Sequence, residues 1–177
     1  MPDFPTANFS ESEGGLFSLS QIQHLMRVEF NRAQRYEYPI TCMLISVDRL
    51  GQLCDLYGID AKEEILRSVV DLLHSETRSS DFLGRMVDDR LLGVIPHTSP
   101  AGARVLADRL VEGARRLRFE ADGRTLQVTI SIGASHNQKE GTIFFDALIQ
   151  AAENAVGEAS SQGGDRLMIK DPQAAED

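Results

Sequence analysis

The chain has 177 residues, of which 42% are hydrophobic and 25% are charged, and its formal net charge at pH 7 is −9. This composition is ordinary for a soluble globular protein, and the length fits one domain with a short tail at each end. The negative charge argues against binding of nucleic acid or of anionic membranes, although a small phosphorylated ligand needs only a local arginine site. No apolar run approaches the ~20 residues that span a bilayer, and residues 1–15 lack the features of a signal peptide, so we expect a cytoplasmic protein.

Helical and extended hydrophobic patterns alternate along the chain. Polar tails over residues 1–15 and 171–177 are expected to be flexible and to flank one domain over residues 16–170. In chain order the predicted elements are a helix over Leu16–Tyr36, a strand over Ile40–Val47, a short helix over Leu50–Leu56, a helix from Asp60 to about Arg78, strands over Phe82–Met86 and Leu91–Ile95, a helix from Ser99, strands over Leu117–Glu120 and Leu126–Ala134, a helix over Thr142–Ser160 and a strand over Arg166–Lys170. This order predicts an α+β fold in which helices flank a central mixed, largely antiparallel sheet of five strands.

Polar side chains that can accept a hydrogen bond from a first helical turn mark three helix starts. Ser18 or Ser20 is suited to cap the first helix, and Asp60 is suited to cap the third. Ser99 precedes Pro100, a residue favoured at the first helical position, so another helix is predicted to begin there.

The stretch Arg78–Pro96 reads as a helix end followed by two strands around a tight acidic turn. Asp88 and Asp89 favour such a connection, because a short acidic side chain tolerates unusual backbone angles and bonds locally. Just upstream, Arg78 and Asp81 are three residues apart, so they face the same way if that segment keeps helical spacing. We expect the function to be decided around this hairpin.

Several motifs occur at compatible spacings from about residue 16 to residue 170. They are Glu29 with Arg32-Ala33-Gln34-Arg35, Ser46-Val47-Asp48, Asp55-Leu56-Tyr57-Gly58, Arg85 with Val87-Asp88-Asp89-Arg90-Leu91, Thr129-Ile130-Ser131-Ile132-Gly133 and Ala152-Glu153-Asn154-Ala155. Together they resemble the GGDEF domain, the fold of diguanylate cyclases, which implies a nucleotidyl-cyclase-like palm fold. The resemblance does not settle the activity, because one fold can carry different sites.

In this family an active cyclase joins two GTP molecules into cyclic di-GMP, with Mg²⁺ or Mn²⁺ held by carboxylates. Asp48 and Asp89 keep acidic positions of that site. The changed positions are Ser46 for the first metal aspartate, Val87 and Asp88 for the two turn glycines, Arg90 for the following glutamate, Cys54 and Glu63 for the guanine-reading asparagine and aspartate, and Ser160 for a lysine on the last helix. We therefore expect no cyclase activity and no cofactor, with Mg²⁺ needed only if residual activity exists. We also expect the Arg90 guanidinium to pair with Asp48 and Asp89 in place of a cation.

Arg78-Ser79-Ser80-Asp81 matches the family's Arg-x-x-Asp product-inhibition motif, which implies a binding site for cyclic di-GMP. A guanidinium offers a planar fork to guanine or phosphate, and a carboxylate accepts from guanine N–H groups. Arg109 stands where the family adds an arginine from the following helix, and Arg85 is a further candidate. The alternative is an exposed ion pair worth ~0–1 kcal/mol, or an aspartate that only caps a turn.

The sequence thus predicts a catalytically inactive GGDEF-like domain that acts as a cyclic di-GMP receptor or adaptor and passes ligand occupancy to a downstream protein partner. A homodimer is expected to be possible on ligand binding, because two bound dinucleotides can crosslink two protomers. Neither a membrane nor a nucleic acid is an expected partner. Two alternatives stay open: a scaffold that binds protein without nucleotide, and a residual diguanylate cyclase or GTP-binding regulatory domain.

Overall fold

The computed structural model describes residues 15–138 and 144–173, and within them the chain forms five helices and seven strands. In chain order these are α1 (Leu19–Tyr36), β1 (Ile40–Val47), α2 (Leu50–Tyr57), α3 (Ile59–Glu76), β2 (Phe82–Arg85), β3 (Leu91–Pro96), α4 (Pro100–Arg116), β4 (Phe119–Ala121), β5 (Arg124–Leu126), β6 (Ile130–His136), α5 (Phe145–Ser161) and β7 (Arg166–Ile169). Among the described residues, no helix is both long enough and apolar enough to cross a bilayer.

Five strands form the central sheet in the order β2-β3-β1-β6-β7. β1 runs antiparallel to both neighbours, with Met43 opposite Gly93 of β3 and opposite Ala134 of β6. β2 is antiparallel to β3, whereas β7 is parallel to β6. The predicted mixed, largely antiparallel sheet of five strands is therefore confirmed.

The side chains of β1 alternate between two apolar layers. Met43 and Ile45 pack with residues of α3 and α4 on one face of the sheet, and Cys42 and Leu44 pack with residues of α1 and α5 on the other. Successive residues of a strand point to opposite faces, so a strand covered by helices on both faces is apolar along its whole length. Within β1 the half-buried exception is Ser46, which precedes the candidate site.

Two of the three predicted helix caps are confirmed. Ser18 caps α1 through a reciprocal bond with Gln21, and Ser99 accepts from the Gly102 N–H at the start of α4. The prediction that Asp60 caps the third helix is wrong, because Gly58 with φ of 91° both ends α2 and precedes α3. Asp60 lies instead in the first turn of α3, where its charge suits the helix dipole.

Several predicted boundaries differ from the observed ones, and three of them concern the first helix, the strand after Leu126 and the last helix. The first helix begins at Leu19 rather than Leu16, because Phe17 pairs with Gly84 of β2 in an extended conformation. The predicted strand over Leu126–Ala134 is divided, since β5 pairs with β4 in a separate two-stranded sheet while β6 pairs with β1 only from Ile130 onward. The last helix begins at Phe145, and the earlier start predicted at residue 142 falls outside the described residues.

Candidate functional site

β2 and β3 are joined by a tight turn over residues 86–90, here named the signature turn. The Met86 N–H donates to the Arg90 carbonyl at 2.8 Å, and the Asp89 N–H donates to the Met86 carbonyl at 3.1 Å. Asp89 has φ of 67°, a left-handed conformation that aspartate adopts more readily than most residues. Val87 at the tip is 91% exposed, so backbone bonds and charged side chains hold this turn rather than apolar packing.

Both carboxylate oxygens of Asp89 are bound by cations of the protein itself. Oδ1 accepts from Nη2 of Arg85 at 2.6 Å, and Oδ2 lies 2.7 Å from Nζ of Lys62 on α3. Partial desolvation raises the pKa of Asp89, but hydrogen bonds from Lys62 and Arg85 outweigh it and hold that pKa below its ordinary value of 3.8. Asp89 is therefore an ionised group whose two oxygens are already engaged.

Arg85 also binds Glu63, the residue at the position to which the resemblance assigns guanine recognition. Its Nη1 and Nη2 donate to the two Glu63 carboxylate oxygens at 3.3 and 3.0 Å. The hydrogen bond from Arg85 is the main reason that the pKa of Glu63 lies below its ordinary value. Lys62, Asp89, Arg85 and Glu63 thus form an alternating series of charges, here named the charge cluster, which ties the signature turn to α3.

Asp48 lies at the end of β1 and is bound by neutral donors. Its Oδ1 accepts from the Ser131 hydroxyl at 2.6 Å, and its Oδ2 accepts from the Thr129 hydroxyl at 2.6 Å and from the Asp165 N–H at 2.9 Å. Gly164 approaches the same carboxylate closely, because a Cβ at this position would lie 2.5 Å from Asp48 Oδ2. The loop before β7 is therefore held against Asp48 by the hydrogen bond from Asp165 and by the close approach of Gly164.

The predicted pairing of Arg90 with Asp48 and Asp89 is wrong. Arg90 Nε instead donates to Asp88 at 2.6 Å, and its Nη2 lies 3.4 Å from Glu153 on α5. Asp88 lies two residues before Arg90 in the same turn, so its carboxylate is close to the guanidinium. The Asp89 carboxylate is already bound by Lys62 of α3 and Arg85 of β2. A cation of the protein does pair with Asp89, but Lys62 and Arg85 supply it instead of Arg90.

The acidic positions of the cleft do not suit a divalent cation. A hard cation requires several oxygens that converge on one point and are free of competing donors. Asp48 is satisfied by three neutral donors and Asp89 by two cations, while Ser46 offers at most a neutral oxygen. Within residues 15–138 and 144–173, no group of three or more His, Cys, Asp or Glu side chains has the arrangement of a metal site.

Arg78, Asp81 and Arg109 line one cavity of about 350 Å³ between the α3–β2 connection and α4, here named the arginine cavity. Two of these residues precede β2, and Arg109 lies on the facing side of α4, so sequence reasoning brought together residues from two distant elements. Arg85 does not line the arginine cavity, because β2 carries it to the opposite end of the strand, toward the charge cluster. It is therefore not retained as a ligand-binding residue.

The connection that carries Arg78 and Asp81 is a tight turn and not helical, since α3 ends at Glu76. The Arg78 N–H donates to Asp81 Oδ2 at 2.8 Å, and the Asp81 N–H donates to the Arg78 carbonyl at 3.0 Å. Asp81 Oδ2 thus caps this turn by accepting from the Arg78 backbone N–H. The hydrogen bond does not involve the Arg78 guanidinium. The other oxygen of Asp81, Oδ1, is buried and has no hydrogen-bond partner among the described residues. Burial raises the pKa of Asp81.

Lys62 was not singled out by sequence reasoning, although it forms one side of the charge cluster. Its position beside Glu63 carries no motif. Only the packing of α3 against the signature turn brings it to Asp89, so no signal in the sequence identifies it.

Comparisons with known proteins identify the family and the fold of this chain. The profile of the family described as "Diguanylate cyclase, GGDEF domain" matches residues 14–166. Diguanylate cyclase DosC of Escherichia coli is 27% identical over 146 residues, covering 82% of this chain and 31% of that protein. Response regulator PleD of Caulobacter vibrioides is 31% identical over 134 residues, covering 75% of this chain and 29% of that protein. The chain spans less than a third of the length of these two curated relatives.

Solved structures share the fold. Diguanylate cyclase SiaD of Pseudomonas aeruginosa, solved with its activator SiaC, superposes with a TM-score of 0.82 at 24% identity, over 89% of this chain and 60% of that one. The GGDEF domain of FimX from the same organism gives 0.82 at 22% identity, over 91% and 99%. The GGDEF domain of DgcB from Caulobacter crescentus, solved in complex with c-di-GMP, gives 0.79 at 15% identity, over 88% and 91%. The chain therefore belongs to the GGDEF domain family, and its curated relatives include diguanylate cyclases.

Proposed function

We propose that this chain is a catalytically inactive GGDEF domain that acts as a receptor or adaptor for cyclic di-GMP, bound through Arg78, Asp81 and Arg109. The observation that carries the proposal is the convergence of these three side chains on one cavity. Two arginines and an aspartate that line one cavity suit a ligand that combines phosphates with guanine bases. The cations take phosphate or guanine acceptors, and the carboxylate takes guanine N–H groups.

Asp81 has one carboxylate oxygen that lacks a hydrogen-bond donor. A buried carboxylate oxygen without a hydrogen bond costs about 1–3 kcal/mol, so a small movement of the turn that exposes Oδ1 to a ligand N–H would recover that free energy. Oδ2 is meanwhile held by the Arg78 N–H, which fixes the orientation of the carboxylate before any ligand arrives.

The proposed loss of catalysis is supported by the state of the cleft. Asp89 is neutralised by Lys62 and Arg85, and Asp48 is fastened to the loop before β7. The exposed side chain of Val87 and the Asp88 carboxylate occupy the signature turn where a triphosphate would approach the backbone. Each contact would have to break before metal and GTP could bind in the manner of a cyclase.

Calorimetric titration of the protein with cyclic di-GMP tests the receptor function. We expect heat of binding in the unaltered protein and at least about a tenfold loss of affinity in Arg78→Ala and in Arg109→Ala. Arg124→Ala is the matched control, since Arg124 is an exposed arginine in the separate sheet formed by β4 and β5, away from the arginine cavity. Absence of heat at high ligand concentration would exclude the receptor function.

Incubation with GTP and Mn²⁺ followed by chromatography tests the loss of catalysis. We expect no cyclic di-GMP to form. Turnover that Asp89→Ala abolishes would establish a residual cyclase instead.

A scaffold that binds protein without nucleotide is the second candidate, and exposed apolar side chains favour it. Leu56 and Ile59, on either side of the α2–α3 junction, are 70% and 68% exposed, and Val87 stands free at the signature turn. Large exposed apolar side chains close to a cleft are common in protein interaction sites. Titration distinguishes the two candidates, because the scaffold gives no heat with cyclic di-GMP.

A further inference from the structure

The segment Gly15–Phe17, here named the leading segment, lies along the outer edge of β2. The Phe17 N–H donates to the Leu83 carbonyl at 2.8 Å, and the Phe17 carbonyl accepts from the Arg85 N–H at 3.3 Å. Phe17 forms a parallel bridge with Gly84 through these bonds. The leading segment therefore adds one short pairing to the sheet at the strand that links the arginine cavity to the signature turn.

The leading segment lines cavities beside the Arg78–Asp81 turn and beside the charge cluster. Gly15 and Phe17 line a cavity of about 400 Å³ together with Arg78 and Asp81, on the side of their turn away from α4. Leu16 is 5% exposed and lines a different cavity, of about 290 Å³, together with Glu63 and Arg85 of the charge cluster. Residues 15–17 thus lie between the turn that carries Arg78 and Asp81 and the charge cluster.

The leading segment is also coupled to α1 by two contacts. Ser18, the next residue, is the N-cap of α1 and exchanges hydrogen bonds with Gln21. One turn along α1, Ile22 packs so closely on Gly84 that a Cβ there would lie 2.8 Å from Ile22 Cδ1. Because a close-packed interface does not deform continuously, a displacement of β2 must be shared by the leading segment and by the start of α1.

We propose that the leading segment detects occupancy of the arginine cavity and transmits it to α1. This inference rests on the proposed binding of cyclic di-GMP. A ligand bound between Arg78, Asp81 and Arg109 fixes the turn that leads directly into Phe82, whose ring centroid lies 6.3 Å from that of Phe17. Fixing Phe82 stabilises the pairing of β2 with Phe17, and so stabilises the docked start of α1.

The coupling is reciprocal. If ligand stabilises the docked leading segment, then docking of that segment must raise ligand affinity by the same factor. Whatever pulls residues 15–17 away from β2 will therefore weaken binding of cyclic di-GMP, and ligand will oppose such a displacement. The output of the receptor is then the position of the α1 N-terminus. A partner protein that binds there would detect whether ligand is bound.

Amide hydrogen exchange of the unaltered protein, with and without saturating cyclic di-GMP, tests this inference. The reporters are the amides of Phe17 and Arg85, which donate the two hydrogen bonds that hold the leading segment. We expect ligand to slow their exchange by about five- to tenfold. Calorimetry on the same sample establishes whether ligand is bound.

The outcomes separate the two proposals. Heat of binding with unchanged exchange at Phe17 would overturn the coupling and leave the receptor function intact, whereas absence of heat would overturn both. The measurement uses only the unaltered protein, so misfolding of a variant cannot affect the result.

Substitution of Phe17 tests the reciprocal direction. Phe17→Ala is expected to weaken cyclic di-GMP binding by about five- to tenfold and to abolish the protection of the Arg85 amide. Phe17→Leu keeps apolar bulk in the cavity, is expected to retain most of the affinity, and remains informative if the alanine variant does not fold. Phe144→Ala is the matched control, since Phe144 is 62% exposed before α5 and lines none of these cavities. Equal affinity in Phe17→Ala and Phe144→Ala would contradict the coupling.

Discussion

The ammonium nitrogen of Lys62 lies 2.7 Å from Oδ2 of Asp89, so a lysine of α3 is bound to the one signature-turn carboxylate that the family places at the metal site. Arg85 binds the other oxygen of the same carboxylate. The protein thereby satisfies Asp89 with its own cations, and the charge cluster is part of the folded structure.

Asp89→Asn is expected to lower the free energy of unfolding by about 1 kcal/mol at pH 7, because the pairing of Asp89 with Lys62 and Arg85 loses its charge. The folded-state pKa of Asp89 lies below its ordinary value of 3.8, so this stabilisation is present above that value and is lost as the pH falls through the folded-state pKa. Urea unfolding at a series of pH values should show the difference between the two proteins shrinking below about pH 4.

Asp55→Asn is the control for that series, since Asp55 is an exposed aspartate on α2 that is not part of the charge cluster. We expect a change within about 0.5 kcal/mol at every pH. A difference for Asp89→Asn that stays constant down to pH 2.5 would show that the charge of Asp89 does not act through this pairing.

Binding of cyclic di-GMP is expected to weaken as the pH falls, because the ligand donor requires the ionised form of Asp81. Burial raises the pKa of Asp81 above its ordinary value of 3.8, so protonation competes with the ligand from a higher pH than for an exposed aspartate. Titrations between pH 7 and pH 4 should show the dissociation constant rising for the unaltered protein.

Asp81→Asn isolates this effect. The amide removes a buried charge and still accepts from the Arg78 N–H, so the free energy of unfolding is expected to change by less than about 1 kcal/mol. The variant should bind ligand weakly and without the pH dependence. Unchanged affinity would mean that Asp81 is only a turn cap.

Tyr38→Phe is expected to cost about 1–3 kcal/mol, because it deprives a buried carboxylate of a donor. Glu29 on α1 is 6% exposed, and its oxygens are bound by the Tyr38 hydroxyl and, at 3.3 Å, by Arg32. Desolvation, together with the hydrogen bond to Glu29, raises the pKa of Tyr38 to about 12, so the phenol remains a donor at physiological pH. Urea unfolding at pH 7 measures the loss, and Tyr36→Phe, at a tyrosine that is 65% exposed, should show almost none.

Gly164→Ala is expected to destabilise the protein by about 1–3 kcal/mol through steric conflict with Asp48. Gly164 has φ of 73°, and an added Cβ would lie 2.5 Å from Asp48 Oδ2. Gly157→Ala is the opposite case, because a Cβ there meets nothing within 4 Å in the interior of α5, and it should stabilise by up to about 1 kcal/mol. Thermal unfolding of both variants gives the comparison, and equal melting temperatures would contradict the close approach at Asp48.

Local patterns in the sequence predicted the elements that depend on neighbouring residues. The continuous apolar run of β1 and the Ser99-Pro100 start of α4 were located correctly, because burial on both faces and helix capping are written in adjacent residues. Boundaries set by partners far along the chain were missed. Phe17 is extended because it pairs with the edge strand β2. The predicted strand over Leu126–Ala134 is divided because β1 pairs only with the part that begins at Ile130.

The amino-acid sequence by itself determined the family, the order of the elements and three of the residues that line the arginine cavity, Arg78, Asp81 and Arg109. It did so because hydrophobic periodicity and motif spacing are properties of the chain that can be read without the structure. Only the tertiary structure decided which cations neutralise Asp89, that Arg90 turns to Asp88 and Glu153, and that Asp81 keeps one buried oxygen without a donor. A charged side chain can pair with any of several neighbours of opposite charge. Which pair forms depends on distances between elements that no local pattern encodes.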